Sequence, residues 1–226
     1  MSTEIELKYQ LLSHSDSNNT VGYEPIIAEI SALLKEHKLL FEMHKSELFN
    51  DYYESDDLTL RKMEVGLRIR QKGQLFVQTI KTAGKVEGCL HQRPEFNIDI
   101  PSNQLNLSLF DQAIWPENTD VALLEKQLKV VFSTNFVRQT WLIHQDESVI
   151  ELALDEGEIM TKAGQPSVAI NELEIELVRG SEQALFDLAE LLKTVVNMEP
   201  SGLSKAARGY ALYQQQLGST TLENSK

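Results

Sequence analysis

Glu4-Ile5-Glu6-Leu7-Lys8 opens this chain, and Glu172-Leu173-Glu174-Ile175-Glu176 stands near its other end. Side chains of a strand alternate between faces, so Glu4, Glu6 and Lys8 share one face while Ile5 and Leu7 take the other. Likewise Glu172, Glu174 and Glu176 oppose Leu173, Ile175 and Leu177. If two such strands meet, their glutamates form a carboxylate cluster that would bind a hard divalent cation. The same alternation runs through the sequence between them. Arg68 and Arg70 oppose Leu67 and Ile69, and Lys81 shares a face with Val77 and Thr79. Arg93, Glu95, Asn97 and Asp99 oppose Phe96, Ile98 and Ile100. Arg138 goes with Thr140 against Val137 and Ile143, and Glu151 and Asp155 oppose Leu152 and Leu154.

An antiparallel sheet with one solvated face explains any single strand of this kind. The set as a whole points elsewhere. Arginine dominates the middle strands, and its planar fork suits fixed, bidentate oxyanion contacts. Glutamates at alternate positions repel one another unless a cation compensates them. A closed or nearly closed barrel, with charges inside and amphipathic helices covering its apolar exterior, reconciles these features. Charges inside a barrel are costly unless they pair or a ligand fills the space. A polyanion together with a metal would fill it. Carboxylates repel phosphate directly but hold Mg²⁺ or Mn²⁺, which in turn binds phosphate oxygens.

At 226 residues and 42% apolar composition, one domain of ordinary size is expected. A net charge of -13 argues against broad nucleic-acid binding. Cys89 is the only cysteine, which rules out an intrachain disulfide. No apolar run is long enough for a membrane helix, and the first residues lack a signal sequence, so a cytoplasmic setting is expected. The five histidines are scattered, and no Walker-type glycine loop is present.

Along the chain, strands are expected over 4–12, 45–54, 66–71, 74–81, 90–100, 136–145, 148–155 and 167–178, with a turn at Lys72-Gly73. Ile26, Ile27, Ile30, Leu33 and Leu34 mark one amphipathic helix, and Leu185, Leu188, Leu191, Leu192 and Val195 a second. A helix is also expected over 123–131 and a short one from Ser204. Residues 13–20 and 163–166 read as connections, and 103–118 as loop with helical turns. Lys205 and Arg208, three apart, share a face of the last helix.

Seven segments in order carry a family resemblance: Thr3-Glu4-Ile5-Glu6-Leu7-Lys8, Gly66-Leu67-Arg68-Ile69-Arg70, Ile80-Lys81-Thr82-Ala83-Gly84, His91-Gln92-Arg93-Pro94-Glu95-Phe96, Leu154-Asp155-Glu156-Gly157-Glu158, Glu172-Leu173-Glu174-Ile175-Glu176 and Ser204-Lys205-Ala206-Ala207-Arg208-Gly209-Tyr210. Together they resemble the CYTH superfamily, or triphosphate tunnel metalloenzymes, over essentially the whole chain, and most of all its bacterial inorganic triphosphatases. The resemblance implies an α+β domain over 1–217, an eight-stranded antiparallel tunnel with a charged interior and helices outside, followed by a flexible tail over 218–226. It implies Glu4, Glu6 and two of Glu172, Glu174 and Glu176 as metal ligands, with Asp155 as a further candidate. Lys8, Arg68, Arg70, Lys81, Arg138, Lys205 and Arg208 match its phosphate-contacting positions, and Arg93 and Glu95 fall at tunnel positions. Lys8, Arg68, Arg70, Lys81 and Lys205 are the candidates for catalysis.

The expected activity is hydrolysis of inorganic triphosphate to pyrophosphate and phosphate with Mg²⁺ or Mn²⁺. The alternatives are hydrolysis of thiamine or nucleoside triphosphate, class IV adenylyl cyclase chemistry, or a non-catalytic polyphosphate-binding module. No nucleic-acid or membrane partner is expected. Many bacterial relatives carry a helical CHAD domain after the tunnel; this sequence stops at Lys226, which fits either a single-domain member or an isolated tunnel domain.

Overall fold

The computed structural model describes residues 2–12, 23–161 and 167–223. The expected connections over 13–20 and 163–166 lie outside the described residues, as do the last three positions of the expected tail. Eight strands close a barrel: β1 (Ser2–Leu11), β2 (Leu40–Glu54), β3 (Gly66–Lys72), β4 (Leu75–Lys81), β6 (Leu90–Ile100), β7 (Lys129–Gln145), β8 (Ser148–Thr161) and β9 (Val168–Arg179). Around the barrel the order is β1, β9, β8, β7, β2, β3, β4, β6, and pairing of β6 with β1 closes the ring. All these pairings are antiparallel. Two three-residue strands, β5 (Lys85–Glu87) and β10 (Met198–Pro200), extend β6 and β1.

Alternation decides what each face buries. The outward residues Leu7, Tyr9, Leu11, Trp141, Ile143, Ile150, Leu152, Leu154, Leu173 and Ile175 form one core with helices α1 (Glu24–Glu36) and α4 (Glu182–Leu192). Burying a side chain of this size contributes about 1.5–3 kcal/mol. The indole N–H of Trp141 donates to the Ser31 hydroxyl at 3.0 Å, so α1 is also held by a specific polar contact. A second core packs Leu67, Ile69, Ile80 and Ile100 under α2 (Thr59–Lys62), α3 (Val121–Gln127) and the intervening 3-10 turns.

The last helix, α5 (Lys205–Glu223), behaves differently. Its Tyr210 and Leu212 join inward-facing Leu48, Tyr52, Phe132, Phe136, Ile159 and Ile170 in a third core. One end of the barrel interior is therefore apolar and closed by α5, and only the remainder is charged. Gly209 permits this approach, because a Cβ there would stand 2.2 Å from the Phe132 ring. Phe132 in turn stacks on Tyr52 at 4.6 Å and meets Tyr210 edge-on at 5.2 Å.

Several boundaries differ from expectation. The helix expected over 123–131 stops at Gln127, because Lys129-Val130-Val131-Phe132 pairs with the end of β2. Two β-branched residues in succession favour that pairing. The expected short helix at Ser204 is 19 residues long and passes through Leu217. The small elements α2, β5 and β10 have no periodicity to betray them and form through tertiary contacts. The start of α2 is held by Glu54, whose carboxylate accepts the backbone N–H groups of Leu60 and Arg61, both at 2.9 Å, and the Tyr210 hydroxyl at 3.2 Å.

Candidate active site

The inward polar residues line a cavity of about 270 Å³ within the barrel. Strand register brings distant residues side by side. Glu6 stands opposite Glu176 on β9 and opposite His91 on β6. Lys8 faces Glu174, Arg138 faces Asp155, Lys81 faces Glu95, and Glu4 faces Arg93.

One part of the wall is neutralised internally. Asp155 is fully buried and receives both Nε and Nη2 of Arg138 at 2.7 Å, with Lys205 Nζ at 2.6 Å. Glu174 receives Lys8 Nζ at 2.6 Å, Arg138 Nη2 at 2.5 Å and Lys205 Nζ at 3.1 Å. Glu172 is ion-paired with Lys205 and Arg208. Burial works against the Asp155 carboxylate, yet Arg138 and Lys205 hold it below its ordinary range. The same opposition, with Lys205, Lys8 and Arg138 prevailing, places Glu174 well below the usual glutamate value. Lys205 is correspondingly raised: burial opposes its charge, and Asp155, Glu174 and Glu172 outweigh it. Carboxylate oxygens of Asp155, Glu172 and Glu174 lie within 4.8 Å of one another, a spacing that suits a metal. The Lys205 ammonium already bridges all three, so this triad holds the basic side chains in place.

A second group joins Glu4, Lys81, Glu95 and Arg68. Lys81 Nζ lies 2.6 Å from both Glu4 oxygens and 3.3 Å from Glu95, and Arg68 Nη2 lies 3.5 Å from Glu95. Burial opposes the Glu95 charge, but Lys81 and Arg68 lower its pKa. Glu6 pairs with Lys8 at 2.7 Å.

Three charged side chains of the wall form no ion pair with a described residue: Arg93, which donates to the Thr82 carbonyl, Glu176 and Arg70. Glu176 forms no ion pair or hydrogen bond with a described residue. Burial first, then the nearby charges of Glu4 and Glu6, push its carboxyl up to about 7. Arg70 has no carboxylate partner and only donates Nε–H to the Asn50 amide oxygen at 2.7 Å. Asn50 is oriented by donating to Thr134 at 3.1 and 3.2 Å. Burial and the flanking cations Arg68 and Arg138 push the Arg70 pKa down. A guanidinium stays charged in proteins, so the shift marks an uncompensated cation. Buried nitrogens without a partner among the described residues include Arg68 Nε, Arg208 Nε and His91 Nε2. The unsatisfied guanidinium N–H of Arg68 suits a ligand rich in acceptor oxygens.

Every residue singled out from the sequence thus reaches the interior wall or its α5 end. Lys8, Arg68, Arg70, Lys81, Arg93, Arg138, Lys205, Glu4, Glu6, Glu174 and Glu176 border the cavity, while Asp155, Glu172 and Arg208 stand behind Lys205. Sequence reasoning placed Thr79 on the face of Lys81 but missed Asn50, Tyr52 and His91. Asn50 and Tyr52 share inward parity with Leu48, whereas the charged residues Lys45, Glu47 and Asp51 of β2 alternate on the opposite face, so the charge pattern points away from them. His91 falls two positions before Arg93 on the same face, and that parity alone could have found it.

The CYTH domain model matches residues 2–210. An inorganic triphosphatase of Haemophilus influenzae is 37% identical over 218 residues, which is 96% of this chain and 56% of that protein. The chain therefore spans little more than half the length of that curated relative. Among solved structures, a candidate adenylyl cyclase from Hippeastrum with a dominant triphosphatase activity superposes with a TM-score of 0.57 at 19% identity, over 92% of this chain and 95% of its own. A Pyrococcus horikoshii protein gives 0.50 at 15% identity, over 90% and 98%. Those two likenesses concern the fold. The family match, the relative and the closed eight-stranded barrel agree that this chain belongs to the CYTH domain family.

Proposed function

We propose that this chain hydrolyses inorganic triphosphate to pyrophosphate and phosphate inside the barrel, with Mg²⁺ or Mn²⁺. The observation that supports this most is the set of unmatched charges. Most acids and bases of the wall answer each other, but Glu176 is left wanting a cation, while Arg70, and Arg93 with it, form no ion pair with a described residue. A metal–phosphate complex supplies both a cation and an anion.

The chemistry of the donor set fits a hard cation. Glu176 would hold it with Glu6, its cross-strand partner, and with Glu4, whose only ion-pair partner among the described residues is Lys81. When bound, such an ion supplies charge neutralisation to phosphate oxygens and acidifies water. The remaining work belongs to the chain. Arg70, Arg68 and Arg93 bind phosphate oxygens, each free to offer at least one N–H. Lys8, Arg138 and Lys205 are fixed by Asp155, Glu172 and Glu174, so they meet charge developing on the leaving pyrophosphate without reorganising. Enclosure by the barrel and α5 limits bulk water and strengthens these contacts. In the balanced reaction, water adds to the terminal phosphorus, the bridging P–O bond breaks, and its electron pair leaves with pyrophosphate.

The same H. influenzae relative, named inorganic triphosphatase, supports this substrate class. No helix of the described residues is long and apolar enough to cross a membrane. The direct test is phosphate release from inorganic triphosphate, ATP and thiamine triphosphate, each with Mg²⁺ and with EDTA. Chelator-sensitive release from inorganic triphosphate above the other two is expected. Preference for ATP or thiamine triphosphate would move the assignment to another substrate, and binding without turnover would leave a polyphosphate-binding module. Glu6→Gln should lower kcat by at least about 100-fold, since Lewis-acid stabilisation is worth several kcal/mol.

A further inference from the structure

A second cavity, of about 410 Å³, adjoins the 270 Å³ tunnel and shares Gly66, His91, Arg93, Ser204 and Ala206 with it. Arg61 of α2, Lys85 of β5 and Arg93 of β6 border this side chamber, and Glu64 is the only carboxylate on its described wall. None of the three cations is ion-paired with a described residue. In a chain of net charge -13, such a group of uncompensated cations stands out. Two of them are fixed by other contacts. Arg93 donates Nε–H and Nη2–H to the Thr82 carbonyl at 3.2 and 3.0 Å. The Arg61 guanidinium lies over the Tyr210 ring, 4.9 Å from its centroid. Gly84 is pressed against β6 so closely that a Cβ would come within 2.4 Å of the Gln92 carbonyl oxygen. That close approach brings the start of β5, with Lys85, to the rim.

We propose that this side chamber is an anion subsite for the phosphoryl groups beyond the third of a linear inorganic polyphosphate whose end lies in the tunnel. The proposal rests on the tunnel being a triphosphate site. Fixed cations without counterions attract an extended polyanion, and the junction at Arg93 gives the chain a continuous basic path. The chamber adds about 410 Å³ beside the tunnel, so a site for three phosphoryl groups opens onto space for more. A nucleoside fits it less well. Tyr210 is the only Tyr, Phe or Trp on the described chamber wall, and it is 5% exposed, packed against Phe132 and covered by Arg61, while His91 is 5% exposed.

The test compares the full chain with Lys85→Glu and with Arg61→Ala/Lys85→Ala. Lys85 is exposed and belongs to none of the three apolar cores, so its variant separates charge from folding. Calorimetry with Mg²⁺ at low temperature measures the affinity of triphosphate, ATP and a linear polyphosphate several times longer than triphosphate. Wild type should bind the long chain more tightly than triphosphate. Both variants should weaken long-chain binding by about tenfold and triphosphate binding by less than about twofold, as expected for two partly exposed cations. Equal losses for both ligands, no loss for the long chain, or a loss confined to ATP would overturn the proposal. If wild type fails to turn over triphosphate, the hydrolase reading fails on its own, and the length-dependent loss in the variants still decides the chamber.

Discussion

Glu176→Gln should make the metal-free protein more stable, which is an unusual outcome for a change at a buried charged position. The wild-type carboxyl rises from the ordinary 4.5 to about 7 because burial and the charges of Glu4 and Glu6 disfavour its ionised form. At about 1.4 kcal/mol per pH unit, that difference corresponds to about 3 kcal/mol of cost at alkaline pH. The side chain keeps some solvent contact, so about 2 kcal/mol is the realistic expectation. The sign follows from linkage. Below pH 4.5 the group is protonated in both folded and unfolded chains, so the cost is absent. It grows between pH 4.5 and about 7, where the unfolded chain has ionised and the folded one has not, and it is complete above that. Gln has no charge to lose, so the variant should gain nothing at pH 4 and about 4–8 °C in Tm at pH 8 in EDTA. Adding Mg²⁺ should reverse the order, because the cation stabilises the folded wild type by binding it and the variant lacks one ligand. The assay is thermal unfolding with EDTA and with Mg²⁺ across this pH range. A variant less stable than wild type at pH 8 in EDTA, or one stabilised equally by Mg²⁺, would refute the charge argument.

Other perturbations separate binding from architecture. Arg70→Ala should cut kcat/KM for triphosphate by at least about 100-fold, since a charge-assisted contact is lost, while Tm holds or rises because an unpaired cation has gone; steady-state kinetics beside calorimetry reads both. Asp155→Asn should destabilise the fold by about 3–5 kcal/mol, because Arg138 and Lys205 then lie buried beside a neutral amide; urea unfolding measures it. Gly209→Ala forces a Cβ towards Phe132 and should cost about 1–3 kcal/mol. The same shift of α5 should displace Lys205 and raise KM for triphosphate, so a variant with both Tm and KM unchanged would show that α5 is not held against Phe132.

Much of this molecule is written in local pattern. Ile5 and Leu7 face the outer core and Glu4, Glu6 and Lys8 face inward because a strand has a period of two, a property each segment carries by itself. The same parity separates Arg68 and Arg70 from Leu67 and Ile69, and Glu172, Glu174 and Glu176 from Leu173 and Ile175. Barrel closure followed from asking where so many charged faces could go. Parity cannot say which charges meet. Glu172, Glu174 and Glu176 are equivalent in sequence, yet the first two are held by cations from β1, β7 and α5 and the third is not. That distinction arises from register between strands far apart in the chain and from the depth to which α5 enters the barrel. The apolar end beneath α5 was hidden for a similar reason: Tyr52, Phe132 and Phe136 lie on inward faces that elsewhere carry charge. The sequence by itself determined the faces of the strands, and so the barrel, the family and the store of charged groups. Only the tertiary structure decided which of those groups neutralise one another and which stay unpaired among the described residues, because ion pairing depends on distances that no local period encodes.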